Sequence, residues 1–165
     1  MKLSETTTSD VSVQQAFAAH TEQSVREQAC QESGALSWEV SITRSGDGAR
    51  IQVDRVMPPA VPDFVKKFLG DTINVRQVEQ WSAPAADGSR TAEVKVTIQG
   101  QPASMVGSAS LRPHGQDGSI EVVEGEVKVN VPFLGKKIEP EIVKVIAAAL
   151  KIEQRVGIEW IKSQG

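Results

Sequence analysis

Hydrophobic residues recur along this chain with two different periods, and the change from one to the other lays out its architecture. Leu36, Trp38, Val40 and Ile42 alternate with Ser37, Glu39, Ser41 and Thr43, the period of a strand with one buried face. After Ser45-Gly46-Asp47-Gly48 the alternation resumes in Ile51, Val53, Arg55 and Met57, so a turn joins two strands into a hairpin. Pro58-Pro59 ends it. Pro62 to Gly70 reads as a short amphipathic helix with Phe64, Phe68 and Leu69 on its apolar side and glycine closing it. Strands resume at about Thr72–Trp81, Arg90–Ile98, Pro102–Arg112 and Ser119–Val131, separated by turns at Asp87-Gly88, Gly100-Gln101 and Asp117-Gly118. In the last of them Val123, Gly125, Val127, Val129 and Val131 take one face, and Glu124, Glu126, Lys128 and Asn130 take the wet one.

From about Lys136 the period lengthens. Ile138, Ile142, Val145, Ala149, Ile152, Val156 and Trp160 step by three or four residues, a helical stripe of roughly 28 residues and about 42 Å. Pro140 falls in its first turn, where a missing N–H costs nothing. At the other end of the chain, residues 2–8 form a weak strand pattern. Asp10 is placed to cap a helix running to about His20, with Val13 and Phe17 on one face, and a second short helix ends near Ser33-Gly34. The order is one strand, two short helices, a run of antiparallel strands and one long helix. A stripe that long needs an apolar surface, so the helix lies across the sheet. The expected fold is α+β, a helix-grip: a curved antiparallel sheet of about six strands wrapped on the C-terminal helix, residues 1–165 forming a single domain with a space between helix and sheet.

Composition narrows the function more by exclusion than by assignment. Eighteen Lys and Arg against 21 Asp and Glu leave a net charge of −3, which argues against a dedicated nucleic-acid binder. The single cysteine, Cys30, cannot form an intramolecular disulfide and fits a reducing compartment. The polar N-terminus has no apolar signal segment, and the run Val145–Leu150 is far shorter than the ~18 residues that span a bilayer. A soluble, cytoplasmic protein without integral membrane association is expected. Two histidines, one cysteine and no tyrosine offer no zinc-ligand spacing, and no glycine-rich phosphate loop or nucleophile elbow occurs. No cofactor, metal or catalytic residue is therefore assigned. His20, at a helix end, and His114, in a Pro-His-Gly turn, read as surface or capping residues.

Some stretches are more specific. Asp63-Phe64-Val65-Lys66-Lys67-Phe68-Leu69-Gly70, Glu79-Gln80-Trp81, Asp87-Gly88-Ser89-Arg90-Thr91 and above all Val127-Lys128-Val129-Asn130-Val131-Pro132-Phe133-Leu134-Gly135-Lys136-Lys137-Ile138-Glu139 stand in order along the chain. With them the stretch from Pro62 to Trp160 resembles an actinobacterial domain family of unknown function in the START-like, birch-pollen-allergen-like helix-grip superfamily. The segment Thr7-Thr8-Ser9-Asp10-Val11 departs from the proline-containing strand-to-helix turn of many superfamily members. The resemblance implies a cavity for an apolar or amphipathic small molecule such as a lipid, isoprenoid, quinone or polyketide. It also implies kinship with some cyclases and dehydratases, and it brings no catalytic residue.

The residues that would line such a cavity are those on the inward sheet face and the helix stripe: Trp38, Val40, Val53, Arg55, Glu79, Trp81 and Met105 on strands, and Ile142, Val145, Ala149, Ile152, Val156 and Trp160 on the helix. The same pattern would also serve a closed core. Glu79 shares strand parity with Ile73, Val75 and Trp81, and Arg55 with Val53 and Met57, so both are candidate buried charges in need of partners. A buried Glu–Arg pair could orient a polar ligand head, work as an acid or base, or be structural. Lys66-Lys67 and Lys136-Lys137 are either an entrance patch for an anionic head group or solvated surface. Hydrophobic small-molecule binding is the first reading. A cyclase or dehydratase using Glu79, and a protein-interaction module whose groove holds a partner segment, are the alternatives.

Overall fold

The computed structural model describes residues 1–165. Strand β1 (Lys2–Ser9) leads into α1 (Val13–His20) and α2 (Gln23–Glu32). The hairpin β2 (Ser37–Ser45) and β3 (Gly48–Met57), the short α3 (Asp63–Leu69) and the meander β4 (Ile73–Trp81), β5 (Arg90–Ile98), β6 (Ala103–His114) and β7 (Gly118–Val129) follow, and α4 (Gly135–Gln164) closes the chain. The sheet has seven strands in the order β1-β7-β6-β5-β4-β3-β2, every neighbour antiparallel. That is one more than the approximate count from periodicity, because β1, weak as a pattern, pairs along eight residues of β7 from Lys2↔Glu126 to Ser9↔Ser119. The α1–α2 pair then carries the chain from one edge of the sheet to the other.

Strand parity places one cross-strand row after another on the face that α4 covers. Trp38, Arg55, Val75, Ile98, Ala103 and Val129 form one row. Val40, Val53, Gln77, Val96, Met105 and Val127 form the next, and Ile42, Ile51, Glu79, Val94, Gly107 and Gly125 a third. Ile51, Val53, Met105, Val127 and Ile138 are almost completely buried. The wet face expected for β7 is observed: Glu124, Glu126, Lys128 and Asn130 are all exposed. The long helix is continuous across the sheet for 30 residues. It starts at Gly135, so Pro140 sits in its second turn rather than its first, without ending it.

Local chemistry corrects three expectations. The cap of α1 is Ser12, not Asp10: Ser12 Oγ accepts from the Gln15 N–H at 3.1 Å and Gln15 Oε1 accepts from the Ser12 N–H at 2.9 Å, a reciprocal capping box. In α3 the buried pair is Val65 and Leu69, four residues apart, which turns Phe64 outward to 45% exposure. Leu36 precedes β2 and is 62% exposed, outside the inward row to which its parity assigns it.

Two glycines face each other across β6 and β7, Gly107↔Gly125. A Cβ on Gly107 would overlap the Glu124 carbonyl oxygen and stand 2.6 Å from Gly125 Cα, and backbone in a paired ladder has nowhere to retreat. Gly107→Ala is expected to destabilise the protein by about 2–3 kcal/mol, measured as a lower urea midpoint with unchanged slope. An unaltered midpoint would mean that the two strands do not meet this closely.

Candidate functional site

Between α4 and strands β3 to β6 lies an open cavity of about 400 Å³. Met57, Ile73, Val75, Val94, Val96, Ile98 and Met105 line its sheet wall, and Ile142, Val145, Ile146, Ala149, Leu150 and Ile152 its helix wall. Pro58, Ala60 and Val61, from the segment between β3 and α3, close a third side. The polar groups fall into two sets. Arg55 and Gln77 are buried on the sheet wall, and Ser33 also borders the space. Glu141 and Lys144 stand on α4 with an ion pair at 3.4 Å, the lysine 73% exposed and therefore at the mouth.

Behind Arg55 the sheet carries a network of buried charges. Glu79 accepts from Arg26 Nη2 at 2.8 Å and from the Trp81 indole N–H at 2.9 Å on one oxygen, and from Gln77 Nε2 at 2.7 Å on the other. Gln77 in turn accepts from Arg55 Nη2 at 3.2 Å. Glu153 of α4 bridges both arginines, at 3.4 Å from Arg26 and 3.5 Å from Arg55. Arg26 also donates from Nε to the His20 carbonyl at 2.9 Å and lies 3.1 Å from His20 Nδ1, while His20 Nε2 contacts Glu121 at 3.0 Å. Thus α1, α2, α4, β3, β4 and β7 all contribute charged or polar groups to the same knot.

The environment sets the protonation states. Burial alone drives the Glu79 carboxyl upward, but the charges of Arg26 and His20 and the hydrogen bonds from Arg26 and Trp81 outweigh it and hold the pKa down at about 2. Burial pushes His20 down, and the Glu121 carboxylate beside it more than compensates, leaving its pKa raised. Burial raises the Cys30 thiol, so this cysteine is an inert neighbour of the network rather than a nucleophile.

The structure brings together six of the thirteen residues singled out from sequence: Arg55, Met105, Ile142, Val145, Ala149 and Ile152 border the cavity. The remaining seven stand elsewhere. Val40 and Val53 pack in the core, and Trp38 packs against it half-buried. Trp81 lies edge-on to Phe17 with ring centres 5.9 Å apart and beside His20 at 5.2 Å. Val156 and Trp160 seat the helix on Val25 and Ala29 of α2. Glu79 is buried as its parity implies, but its ionic partner is Arg26, with Arg55 reached only through Gln77. His20 is the clear correction: it is 14% exposed and ion-paired inside the molecule, not a surface cap. Sequence reasoning missed Arg26 and Glu153. Both were marked by position, Arg26 between Val25 and Ala29 with Cys30 four residues on, and Glu153 four after Ala149 and three before Val156.

On the far side of the network a second space, about 40 Å³, lies among Thr7, Ser119, His20, Arg26, Glu121 and Gln154. Thr7 Oγ1 donates to Gln154 Oε1, and Gln154 Nε2 has no protein partner. It is large enough for one or two ordered waters, which would satisfy that donor.

The family model for DUF2505, described as a protein of unknown function, matches residues 4–161. The chain belongs to the DUF2505 family. This DUF2505 chain is 30% identical over 121 residues to the uncharacterized protein Rv0481c of Mycobacterium tuberculosis, covering 71% of the chain and 69% of the relative. Among solved structures it is similar to TTHA0849 from Thermus thermophilus, with a TM-score of 0.66 at 12% identity over 100% of this chain and 99% of that one. It is also similar to human STARD10, TM-score 0.63 at 9% identity over 98% of this chain and 66% of that one. Norcoclaurine synthase of Thalictrum flavum, solved with dopamine and hydroxybenzaldehyde, gives 0.58 at 13% identity over 96% and 87%. At these identities the likeness is one of fold, and it establishes the helix-grip architecture of the DUF2505 domain.

Glu79→Gln keeps the shape of the network and removes its central negative charge, leaving Glu153, at 3.4 Å, as the one carboxylate paired with Arg26. The expected cost is about 3 kcal/mol at neutral pH. The pH dependence has a definite sign. A carboxyl lowered by folding stabilises above its unfolded pKa, and that stability is lost as pH falls from about 4.5 toward 2. His20, raised by folding, stabilises below its unfolded value of 6.5 and loses that contribution as pH rises past it. Melting temperature against pH should therefore show an acid limb that is strongly reduced in Glu79→Gln, and an equal acid limb in both proteins would refute the assignment.

Proposed function

We propose that this chain, acting as one domain over residues 1–165, binds a small amphipathic molecule in the cavity between α4 and the sheet. Its apolar body would lie along Val75, Val96, Met105 and Ala149 and its oxygen-bearing end at Arg55. The observation that carries this is the cavity itself: about 400 Å³, with 16 of its 23 lining residues hydrophobic, within the range of small-molecule pockets of ~300–1,000 Å³. Packed cores do not leave such spaces. Arg55 supports the polar end of the reading. Its oxygen acceptors in the protein are Gln77 at 3.2 Å and Glu153 at 3.5 Å, with the Cys30 sulfur as a further neighbour, so a guanidinium with five N–H groups retains donors for an acceptor in the cavity.

Binding without chemistry is favoured over a cyclase or dehydratase that uses Glu79. A carboxylate with three hydrogen bonds and a pKa of about 2 neither gives nor takes a proton readily at neutral pH, and Glu79 does not border the cavity. The fold shared with STARD10 and norcoclaurine synthase supports a small-molecule site of this kind. A cytoplasmic location belongs to the same reading, supported by the single buried thiol; no helix is long and apolar enough to cross a membrane.

Ala149→Trp projects an indole from the helix wall into this space. The expected outcome is a folded protein melting within a few degrees of wild type, with affinity for a fluorescent fatty-acid analogue reduced about tenfold or more. Arg55→Met should weaken the same carboxylate probe while sparing a neutral apolar dye. A wild type that takes up neither probe would overturn the reading.

A further inference from the structure

Exposed hydrophobic residues are not scattered over this molecule. Seven large apolar side chains are open to solvent, and five of them lie at one end of the sheet. Phe64 is on α3, between the paired ends Met57↔Ile73 of β3 and β4. Leu36 precedes Ser37↔Val56, where the β2–β3 ladder starts, and Met1 precedes Lys2↔Glu126. Phe133 and Leu134 follow β7 beyond Val129. The exceptions are Val145, part-way along α4 on its cavity side, and Val106, in the middle of β6 on the outer face. The opposite end, with the turns at 46–47, 82–89 and 115–117, exposes no large apolar side chain.

Phe133 is the extreme case. Its ring is 99% exposed, and its backbone has φ of 66°, a left-handed conformation that a bulky side chain rarely adopts. The turn is not loose. Val131 N–H donates to Val129 O at 3.0 Å, Gly135 N–H donates to Val131 O at 2.9 Å, and a Cβ on Gly135 would collide with that Val129 carbonyl. The ring is thus held out into water by a braced turn.

The charges around it have one sign in excess. Lys66, Lys67, Lys136 and Lys137 are exposed and make no ion pair. Of the acidic groups nearby, Glu141 is engaged by Lys144, while Glu139 and Glu126 share the one Met1 amino group, which leaves one carboxylate charge unmatched beside Asp63 and Asp71. Lys2 and Lys128 are exposed at the same end and also make no ion pair. Six free lysines against three unmatched carboxylates form a positive zone on a chain whose net charge is −3.

We propose that this end of the molecule docks on the surface of an anionic phospholipid bilayer, with Phe133, Phe64 and Leu134 entering the interface and these lysines meeting phosphate head groups. A preformed apolar tip ringed by lysines has the chemistry of an interfacial anchor, and each lysine near such a surface strengthens binding about fivefold. The inference goes beyond the binding reading and stands without it, since the assay below uses no cavity probe.

The test is flotation with vesicles of phosphatidylcholine alone and with about 30 mol% phosphatidylglycerol. Wild type should float with the anionic vesicles only, and release as salt rises from about 0.05 to 0.5 M. Phe133→Ser, at a fully exposed position, should fold with an unchanged melting temperature and lose fivefold or more of the binding, and so should the Lys136→Glu/Lys137→Glu double variant. Val106→Ser, outside the zone, should float like wild type. Wild type that stays with buffer, or a folded Phe133→Ser that floats equally well, overturns the proposal. A wild-type dimer in sedimentation that Phe133→Ser dissolves overturns it too, by assigning the surface to a second copy.

Discussion

Arg26 and Glu79 form an ion pair, both almost wholly buried, at 2.8 Å, and the arrangement of the helices over the sheet depends on it. Neither charge is tolerable alone in that setting, so α2 must place Arg26 over β4 at the height of Glu79 and at no other. The requirement propagates. Glu153 has to face the same spot from α4, which fixes the rotation of a 30-residue helix about its axis. His20 has to end α1 beside Arg26, and it in turn meets Glu121 on β7. Apolar packing would accept several rotations of these helices, whereas a closed set of hydrogen-bonded charges accepts one.

The same knot divides the interior. On one side is the large apolar cavity, on the other a small space with an unsatisfied Gln154 amide. Arg55 is the member that reaches the large side. It is held more loosely than the other arginine, with contacts at 3.2 and 3.5 Å where the Arg26–Glu79 bond is 2.8 Å. A group fixed from behind yet incompletely satisfied in front is suited to receiving a partner without the network having to rearrange.

Much of this was legible in the chain because strand parity and helical stripes are local. The alternation from Trp38 to Met57 and the stripe from Ile138 to Val156 place their residues on the correct faces, and α4 covers the sheet as its stripe requires. Parity also buries Glu79. What parity cannot contain is partner choice across the fold: Arg26 is 53 residues from Glu79 and 127 from Glu153, and a lone Arg in the polar run Gln23–Glu32 looks solvated until its apolar neighbours are read at helical spacing. The cavity shows the same limit. Trp81, Val156 and Trp160 carry the pattern of Met105 and Ala149, and only the separation of helix from sheet at each point decides which of them meets another side chain and which meets space.

The cavity's three walls differ in how they can yield. The sheet is a continuous ladder, and α4 is one rod seated by Ile138 near one end and Val156 near the other. The segment from Pro58 to Val61 is neither, and within it the only backbone bond is Ala60 N–H to Pro58 O at 2.9 Å. Parting the sheet would break a ladder of hydrogen bonds and lifting α4 would break its apolar packing and the Glu153 ion pairs, while displacing the third breaks one backbone bond. Of the three walls this four-residue strap is therefore the one that can shift alone, so the width of the space can vary while the chemistry of its other two walls stays fixed.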